Sequence, residues 1–284
     1  MVTNRSIFQA IDYIFQHIEE EIRLDDVAEY CHFSRYYFCR LFKAQTGESV
    51  YGFIKRVRLQ TSAFRLKVER ERSITEISAD YGYSSSNYSS AFRQHYHMAP
   101  AAFRREIGRQ SKEHPFFHHE QWQAESFEEC SRKITMETVP DYRVICERRF
   151  GSYEELSRSW GQFMERHAED ITGETRFLER TYDDPALTKK ERCLSDICMT
   201  VGEDYPSEDT LIIEGGKCLV YHFKGHARHI YAAYQTIFLE WLPRTGYEMD
   251  TSRSMFDVYH RVDCDSMYME MDICLPVKDD KAGW

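Results

Sequence analysis

One segment occurs twice in this chain, at residues 24–43 and at residues 74–93, offset by fifty positions without a gap. The apolar spacing of each copy fits a short helix, a tight turn that opens on serine, and a second helix that crosses the first. The repeat therefore predicts two helix-turn-helix units, and the second helix of such a unit can enter a DNA major groove. The positions that match are Leu24/Ile74, Val27/Ile77, Ala28/Ser78, Phe33/Tyr83, Ser34/Ser84, Phe38/Tyr88, Leu41/Ala91, Phe42/Phe92 and Lys43/Arg93.

Further helices are predicted around the two copies. A first amphipathic helix is expected from about Ser6 to Glu20, and a long connecting helix from Val50 to Lys67. Ser73 and Glu76 have the spacing of a capping box, which starts the second unit. Proline is favoured at a helix start, so the pattern predicts a short final helix over Pro100–Arg105.

The rest of the chain contains a second internal repeat, at an offset of 74 to 76 residues. In each copy a strand, a glycine turn and an amphipathic helix precede further strands, which predicts a pseudo-twofold pair of β-α-β-β units. Residues 108–130 are polar and without a clean period, and we interpret them as a linker. The predicted fold is multidomain: an all-α domain over residues 1–107, the linker, and an α+β domain over residues 131–280.

Charge is distributed unequally between these parts. The chain has 37 Lys and Arg against 47 Asp and Glu, and residues 1–112 hold 17 of the former and 13 of the latter. The first part is therefore at +4 and the remainder at −14, which gives the total of −10. A basic first part suits contacts with DNA phosphates, whereas an acidic remainder suits neutral or cationic small molecules and repels DNA.

Cysteine usage and hydropathy indicate the compartment. The nine cysteines include no CxxC pair, and four of them, Cys146, Cys198, Cys218 and Cys274, lie in apolar runs. They are expected to be buried thiols in a reducing cytosol. No signal-like segment follows the amino terminus and no run of about 18 apolar residues occurs, so we expect a cytoplasmic protein without a membrane partner.

The first part resembles a known family. The stretch Leu24–Lys43, the connecting helix and Ser73–Pro100 resemble the AraC/XylS family of transcription regulators, through Tyr81-Gly82-Tyr83, Ser86–Ser89, Ala91–Arg93 and Ala99-Pro100. The resemblance implies two helix-turn-helix units on one rigid frame, with recognition helices in successive major grooves about 34 Å apart. It also implies promoter DNA and RNA polymerase as partners. No dimerisation helix or heptad is evident, which favours a monomer on DNA.

The resemblance implies a set of DNA-binding residues. Arg40 is the expected base contact because guanidinium can bond guanine at both O6 and N7, whereas Arg35 and Lys43 are expected at phosphates. Ser90 departs from the arginine often found at its position, so weaker base discrimination is expected from the second helix. His32 stands where the second unit has the turn glycine Gly82. The remaining candidates are Tyr36, Cys39, Ser86, Asn87, Ser89 and Arg93.

Residues from about Ser131 to Lys278 resemble the gyrase-inhibitor-like (GyrI-like) effector-binding domain, and the whole architecture resembles the Rob-type regulators. The motifs include Arg149–Tyr153, Trp241-Leu242, Phe256–Tyr259 and Asp272–Val277. The resemblance implies a carboxylate on the last strand that meets a cationic aromatic ligand among aromatic side chains. That carboxylate is expected to be Asp272, assisted by Glu270, between walls of Trp160, Tyr231, Tyr259 and Tyr268.

The sequence leaves three classes of function open. The leading hypothesis is a ligand-responsive transcription regulator, more specifically an activator, without a cofactor or a metal. An alternative is a small-molecule hydrolase fused to a DNA-binding module, with Asp272 as base and Tyr259 as donor. A third class is a thiol or metal sensor that would use His118-His119-Glu120 or His226 and His229, although no Cys/His set has zinc-like spacing.

Overall fold

The structure is a computed structural model of the 284-residue chain, and it describes Val2, residues 4–113 and residues 125–278. The chain divides into two compact units, Met1–Ser111 with Asp183–Lys189, and Lys112–Tyr182 with Lys190–Trp284. The second unit is thus interrupted in sequence by a seven-residue segment that belongs to the first. Residues 114–124 of the predicted linker lie outside the described residues, and its two ends are helical rather than irregular, at residues 108–112 and 127–130.

The first unit is built of helices and contains both predicted helix-turn-helix pairs, which are α2 with α3 and α5 with α6. Among the described residues no helix is long and apolar enough to span a bilayer. The bounds are α1 Arg5–Gln16, α2 Leu24–Tyr30, α3 Arg35–Thr46, α4 Val50–Val68, α5 Ile74–Asp80, α6 Ser85–Tyr96 and α7 Pro100–Lys112.

The predicted final helix extends further than its sequence signals indicated. The prediction ended it at Arg105, but α7 continues to Lys112. The reason is that Phe103, Ile107 and Ser111, spaced by four residues, are all buried on one face.

The two helix-turn-helix units begin their second helices in the same way. The Ser34 hydroxyl accepts from the amide of Tyr37, and the Ser84 hydroxyl accepts from the amide of Asn87. A serine at this position satisfies one of the backbone amides that a helix start leaves without a partner. The predicted capping box is also present, since the Ser73 hydroxyl and the Glu76 carboxylate each accept from the other's backbone amide.

The turns of the two units share one backbone conformation but not one residue type. The position two residues before the turn serine is left-handed in both, with φ 57° at His32 and φ 73° at Gly82. At the ends of the second helices the two residue types are exchanged between the units. The left-handed residue that caps α3 is Gly47, at φ 76°, and the one that caps α6 is His97, at φ 58°. Each unit therefore holds one histidine in a conformation that favours glycine.

Aromatic side chains form the core beneath the recognition helices. Phe42 contacts Phe38 and Phe53, with ring centroids 5.7 and 5.3 Å away, and Phe92 contacts Phe103 at 5.1 Å. These five buried phenylalanines of α3, α4, α6 and α7 fix the helices against each other. Burial of such a side chain contributes about 2–3 kcal/mol.

The segment 183–189 packs onto α4 within the first unit. The Lys67 ammonium lies 2.5 Å from Asp184 Oδ2, and both side chains are buried. The Gln60 amide donates to the Thr188 hydroxyl at 2.9 Å, and Leu187 is also buried. Asp184 in turn accepts from the amide of Ala186, which shapes the segment for this contact.

The second unit is one antiparallel sheet of eight strands in the order β1-β6-β8-β7-β3-β4-β2-β5. This arrangement confirms the α+β pseudo-twofold prediction. One half of the sheet contains β2, β3 and β4, and the other half contains β6, β7 and β8. The edge strands are exchanged between the repeats: β1, which precedes β2 in sequence, pairs with β6, and β5, which precedes β6, pairs with β2. The bounds are β1 Ile134–Val139, β2 Tyr142–Phe150, β3 Phe177–Thr181, β4 Leu194–Thr200, β5 Leu211–Ile213, β6 Gly216–His226, β7 Phe256–Asp263 and β8 Tyr268–Pro276.

Three helices accompany the sheet, and a π-helical turn over Thr236–Trp241 extends the third of them. They are α8 Phe127–Lys133, α9 Leu156–Arg166 and α10 Ile230–Gln235. Strand alternation gives the sheet two apolar faces. Ile197 and Met199 pack with Phe163 of α9 on one face, while Leu178 and Cys198 belong to a second core on the other.

Two of the cysteines expected to be thiols are joined instead. Cys146 and Cys198 form a disulfide, with Cα atoms 4.2 Å apart. The cause is strand register, because β2 and β4 pair these residues directly opposite each other and their side chains point to the same face. Cys218 and Cys274 remain free and buried, as the sequence predicted.

Candidate functional site

The first recognition helix, α3, presents a basic and aromatic surface. Arg35, Tyr36, Arg40 and Lys43 are exposed, while Cys39 is half-buried. Arg35 forms an exposed ion pair with Asp25, and the Arg40 guanidinium lies 5.8 Å from the Tyr37 ring centroid. An exposed ion pair of this kind contributes little to stability, so Arg35 can exchange Asp25 for a phosphate at low cost.

The second recognition helix, α6, presents short hydroxyl side chains at the equivalent positions. Ser86, Asn87, Ser90 and Arg93 are exposed and Ser89 is half-buried. Burial agrees position by position between residues 31–40 and residues 81–90. The two helices therefore expose equivalent surfaces with different chemistry. The side chains of α3 are able to bind phosphates and guanine, whereas those of α6 are mostly limited to short-range hydrogen bonds.

The residues predicted for the effector site fall on two faces of the sheet. Asp272 lies opposite Val258 on β7, whereas Tyr259 lies opposite Met271. Because neighbouring strand residues point to opposite faces, Asp272 and Tyr259 do not meet. The structure thus does not bring together the base and donor that the hydrolase alternative requires.

Asp272 is engaged by two histidines. Its Oδ1 is 2.7 Å from His222 Nδ1 and its Oδ2 is 2.7 Å from His260 Nε2. Glu270 lies on the same face and pairs with the Lys224 ammonium at 2.9 Å. Both predicted carboxylates are thus partly exposed and paired with basic side chains.

The four predicted aromatic walls are also divided. Trp160 on α9 and Tyr259 on β7 meet, with ring centroids 5.6 Å apart. Tyr231 is half-buried on α10, and Tyr268 is half-buried at the start of β8, on the Asp272 face.

Trp160 and Tyr259 converge on a carboxylate that was absent from the prediction. The Tyr259 hydroxyl donates to Glu179 Oε2 at 3.0 Å, and the Trp160 indole donates to the same oxygen at 3.3 Å. Glu179 is 3 % exposed. A buried carboxylate with two neutral donors is a costly arrangement unless the carboxyl group is protonated or meets a cation.

A second buried carboxylate lies beside the first. Asp257 is directly opposite Glu179 across the β3–β7 pair, at the centre of the sheet. Its two oxygens both accept from the Tyr234 hydroxyl of α10, each at 2.6 Å. Each acid thus has its own tyrosine, and α9 and α10 supply one aromatic donor each.

Burial and mutual repulsion shift the titration of both acids. Burial raises the pKa of Glu179 to about 7, although the hydrogen bonds from Tyr259 and Trp160 and the charge of Arg149 oppose the shift. Burial and the neighbouring Glu179 raise the pKa of Asp257 well above its ordinary value. In the described part of the chain neither acid forms an ion pair with a lysine, arginine or histidine. We refer to Glu179, Asp257, Trp160, Tyr234 and Tyr259 as the acid pair site.

The internal twofold explains why these two acids meet. Cys198 lies opposite Leu178, and Cys274 lies opposite Phe256, so Glu179 and Asp257 follow equivalent positions of the two repeats. The twofold axis runs between β3 and β7, which places the equivalent residues side by side. The detectable signal in the sequence was an acidic residue within an apolar strand in both repeats.

The same twofold relates Asp196 to Asp272. Asp196 is fully buried and accepts from Arg148 at 2.7 Å, from Arg180 at 2.6 Å and from the Tyr182 hydroxyl at 2.8 Å. Although burial alone would raise its pKa, the two guanidinium groups outweigh burial and lower it. The equivalent aspartates of the two repeats therefore have different partners: Asp196 lies between two arginines, and Asp272 lies between two histidines.

The metal hypothesis finds no geometric support in residues 4–113 and 125–278, where no group of three or more His, Cys, Asp or Glu could hold a metal ion. His226 and His229 are neighbours, with ring centroids 6.1 Å apart. His118, His119 and Glu120 lie outside the described residues.

Both parts of the chain match known protein families. The family model of the GyrI-like small molecule binding domain matches residues 132–278, just over half of the chain, and a helix-turn-helix domain model matches residues 27–106. The regulatory protein SoxS of Salmonella typhimurium is 30% identical over 108 residues, which are 37% of this chain and all of SoxS. The chain belongs to the AraC family and carries a GyrI-like domain. It therefore combines a helix-turn-helix domain with a GyrI-like small molecule binding domain.

Other relatives match over little more than a third of this chain. The regulatory protein PocR of Salmonella typhimurium is 36% identical over 108 residues, 38% of this chain and 35% of PocR. The chain thus spans about a third of the length of the first curated relatives it matches. Among solved structures, a cryo-EM structure titled as an EcmrR–DNA complex in EcmrR-RPo covers 90% of this chain and 99% of that chain, at 13% identity and a TM-score of 0.44.

Proposed function

We propose that this AraC-family regulator activates transcription in the cytoplasm in response to an aromatic cation bound at the acid pair site. α3 and α6 bind promoter DNA, and the bound cation changes either promoter affinity or contact with RNA polymerase. The protein binds its effector without transforming it. The observation that carries the proposal is the pair Glu179 and Asp257, two buried acids with aromatic donors and no ion pair to a described basic side chain.

A cation is the ligand that best resolves the energetics of this pair. Two buried carboxylates side by side are not both ionised near neutral pH, because burial and repulsion disfavour the second charge. A ligand cation offsets both the cost of burial and the repulsion for the acid nearer to it, and so favours the ionised form of that acid. Near neutral pH the cation must displace the proton that Glu179 partly holds, and its attraction to the ionised carboxylate offsets that cost, whereas a neutral ligand gains no such attraction.

The aromatic side chains favour an organic cation over a hydrated metal ion. Trp160 and Tyr259 contact each other at near right angles, and both touch Glu179. Ring faces attract a desolvated organic cation by about 0.5–2 kcal/mol each. Trp160, Tyr234 and Tyr259 are each only half-buried, so these rings are the side chains through which a ligand reaches the acids.

Binding of a cation is coupled to proton release. A cation stabilises ionised Glu179 and therefore lowers the pKa of this residue below about 7. Below that pH, the proton must leave when the cation binds. Cation affinity is therefore expected to rise with pH between pH 6 and pH 8.

The test is calorimetric titration of the full chain with tetraphenylphosphonium, using neutral triphenylphosphine oxide as the matched ligand. Titrations at pH 6 and pH 8, in buffers with different ionisation enthalpies, count the protons released. We expect saturable binding of the cation only, with proton release at pH 6, and at least a tenfold loss of affinity in Glu179→Gln.

The matched control variant is Asp272→Asn, which removes the carboxylate that the sequence pointed to. If Asp272→Asn loses cation binding and Glu179→Gln retains it, the effector site lies on the opposite face of the sheet. Equal binding of the neutral compound would exclude the cation preference. Tryptophan fluorescence provides a second readout: the chain has four tryptophans, so quenching that is lost in Trp160→Phe reports occupation of the acid pair site.

A further inference from the structure

A cavity of about 230 Å³ lies between two helices of the first unit, α4 and α6. It is separate in sequence and in unit from the acid pair site. Four of its lining residues come from α4 and three from the recognition helix α6. They are Gly52, Lys55, Arg56, Leu59, Ala91, Gln94 and His95.

The polar wall of this cavity carries positive charge in excess. Lys55 is half-buried and, among the residues that the structure describes, forms no ion pair. Arg56 is paired with Glu48 at 2.7 Å and also donates to the Gln60 amide oxygen at 2.8 Å. None of the seven lining residues is acidic, and the nearby Glu48 carboxylate, which lies beside Gly52, is paired with Arg56. The ammonium group of Lys55 is thus left to bind something outside the described chain.

The positive charges around the cavity also act on the imidazole of His95. Burial lowers the pKa of its imidazole, and the charges of Arg56, Lys189, His97 and Lys55 lower it further. Arg56 and Lys55 belong to α4, Lys189 to the segment 183–189, and His97 follows the end of α6. The named charges of Arg56, Lys189 and Lys55 would attract an anion in the cavity, although Glu48 offsets part of the charge of Arg56, and Asp183 and Asp184 act on the neighbouring Tyr96.

We propose that the cavity between α4 and α6 binds a small anion, a carboxylate or phosphate group of a small molecule, held by Lys55, Arg56 and His95. The volume is below the roughly 300–1,000 Å³ of pockets that enclose drug-sized ligands, and suits a single anionic group. The Gln94 amide supplies an uncharged donor at the rim. This would be a second small-molecule site, which responds to charge of the opposite sign to the ligand of the acid pair site.

Occupation of this cavity has two physical consequences. An anion that bridges α4 and α6 ties the second recognition helix to the long connecting helix. It also replaces repulsion at His95 with attraction, so His95 takes up a proton on binding. Anion affinity is therefore expected to increase as the pH falls from 7.5 to 6.0, opposite to the pH dependence of cation binding.

The experiment is calorimetric titration of the full chain with sulfate, which does not titrate in this pH range, at constant ionic strength. Measurements at pH 6.0 and 7.5 in two buffers of different ionisation enthalpy count the protons taken up. We expect one site with proton uptake at pH 6.0. Lys55→Gln should weaken sulfate binding at least tenfold, Lys55→Arg should retain it, and His95→Gln should abolish proton uptake.

The matched control is Lys190→Gln, which removes one exposed positive charge from the second unit and should leave sulfate binding unchanged. The absence of saturable sulfate binding to the wild-type chain would overturn the proposal. Binding that persists equally in Lys55→Gln and His95→Gln would do the same. Circular dichroism melting of each variant separates loss of the site from loss of the fold.

A second arm distinguishes the source of the phosphate group. If the cavity instead receives a backbone phosphate of DNA, random-sequence duplex DNA will displace sulfate and Lys55→Gln will lower DNA affinity in the absence of sulfate. That outcome overturns the small-molecule assignment. If the small-molecule assignment holds, sulfate and duplex DNA will bind together, and Lys55→Gln will leave DNA affinity at low sulfate unchanged.

Discussion

Lys67 and Asp184 form a buried ion pair although 117 residues separate them in sequence. The ammonium nitrogen and the carboxylate oxygen are 2.5 Å apart, and the side chains are 0 % and 5 % exposed. The pair fastens the segment 183–189 to α4, the helix that connects the two helix-turn-helix units.

Breaking this pair by changing one partner should destabilise the first unit. Lys67→Met leaves Asp184 buried without its cation, and a loss of about 3–5 kcal/mol in the free energy of unfolding is expected. Urea titration followed by helix circular dichroism measures it. The double variant Lys67→Met with Asp184→Leu should recover part of the loss. Arg23→Met, which breaks an exposed pair with Glu21, should change stability by less than about 0.5 kcal/mol.

The turn positions offer a matched pair of backbone substitutions. Gly82 has φ 73° and an added Cβ would meet no atom within 4 Å, so Gly82→Ala should cost about 1 kcal/mol through the backbone alone. His32 has φ 57°, and His32→Gly should be neutral or stabilising by up to about 1 kcal/mol. A clear loss of stability in His32→Gly would mean that the imidazole makes a contribution larger than the backbone strain.

Stability should depend on pH through Glu179. The folded-state pKa of about 7 lies above the ordinary value of 4.5, so the folded state holds a proton that the unfolded state has released. This contribution is fully present below pH 4.5 and is lost as the pH rises to 7, by about 3 kcal/mol in total. The difference in unfolding free energy between wild type and Glu179→Gln should therefore shift in favour of the variant from pH 5 to pH 8. Glu21→Gln, at an exposed position, should show no such shift.

DNA binding should separate base contacts from phosphate contacts on α3. With a duplex selected from a random pool by the wild-type protein, Arg40→Ala should cost about 1–3 kcal/mol and relax specificity at one base pair. Lys43→Ala should weaken all sequences equally and reduce the slope of affinity against salt by about one. Fluorescence anisotropy at several salt concentrations measures both effects. If Lys43→Ala changes sequence preference and Arg40→Ala does not, the two roles are exchanged.

The amino-terminal unit was largely predictable from sequence, because its signals are local. Helix periodicity, the serines at positions 34, 73 and 84, and the fifty-residue repeat are determined by residues close to one another in sequence. The helix-turn-helix pairs and the exposed surface of α3 follow from those signals. The segment 183–189 could not be assigned to this unit in the same way, since nothing near Asp184 in sequence indicates its partner Lys67.

In the carboxy-terminal unit the sequence determined the repeat, the strands and the presence of aromatic and acidic residues in them. Tertiary structure decided which acid meets which ring. Alternation along a strand fixes only that two residues share a face or do not, whereas register across β3 and β7 brings Glu179 beside Asp257 and leaves Asp272 with two histidines. Register also joined Cys146 to Cys198. Pairing between strands depends on contacts made only after the chain has folded, and so the chemistry of the site belongs to the fold.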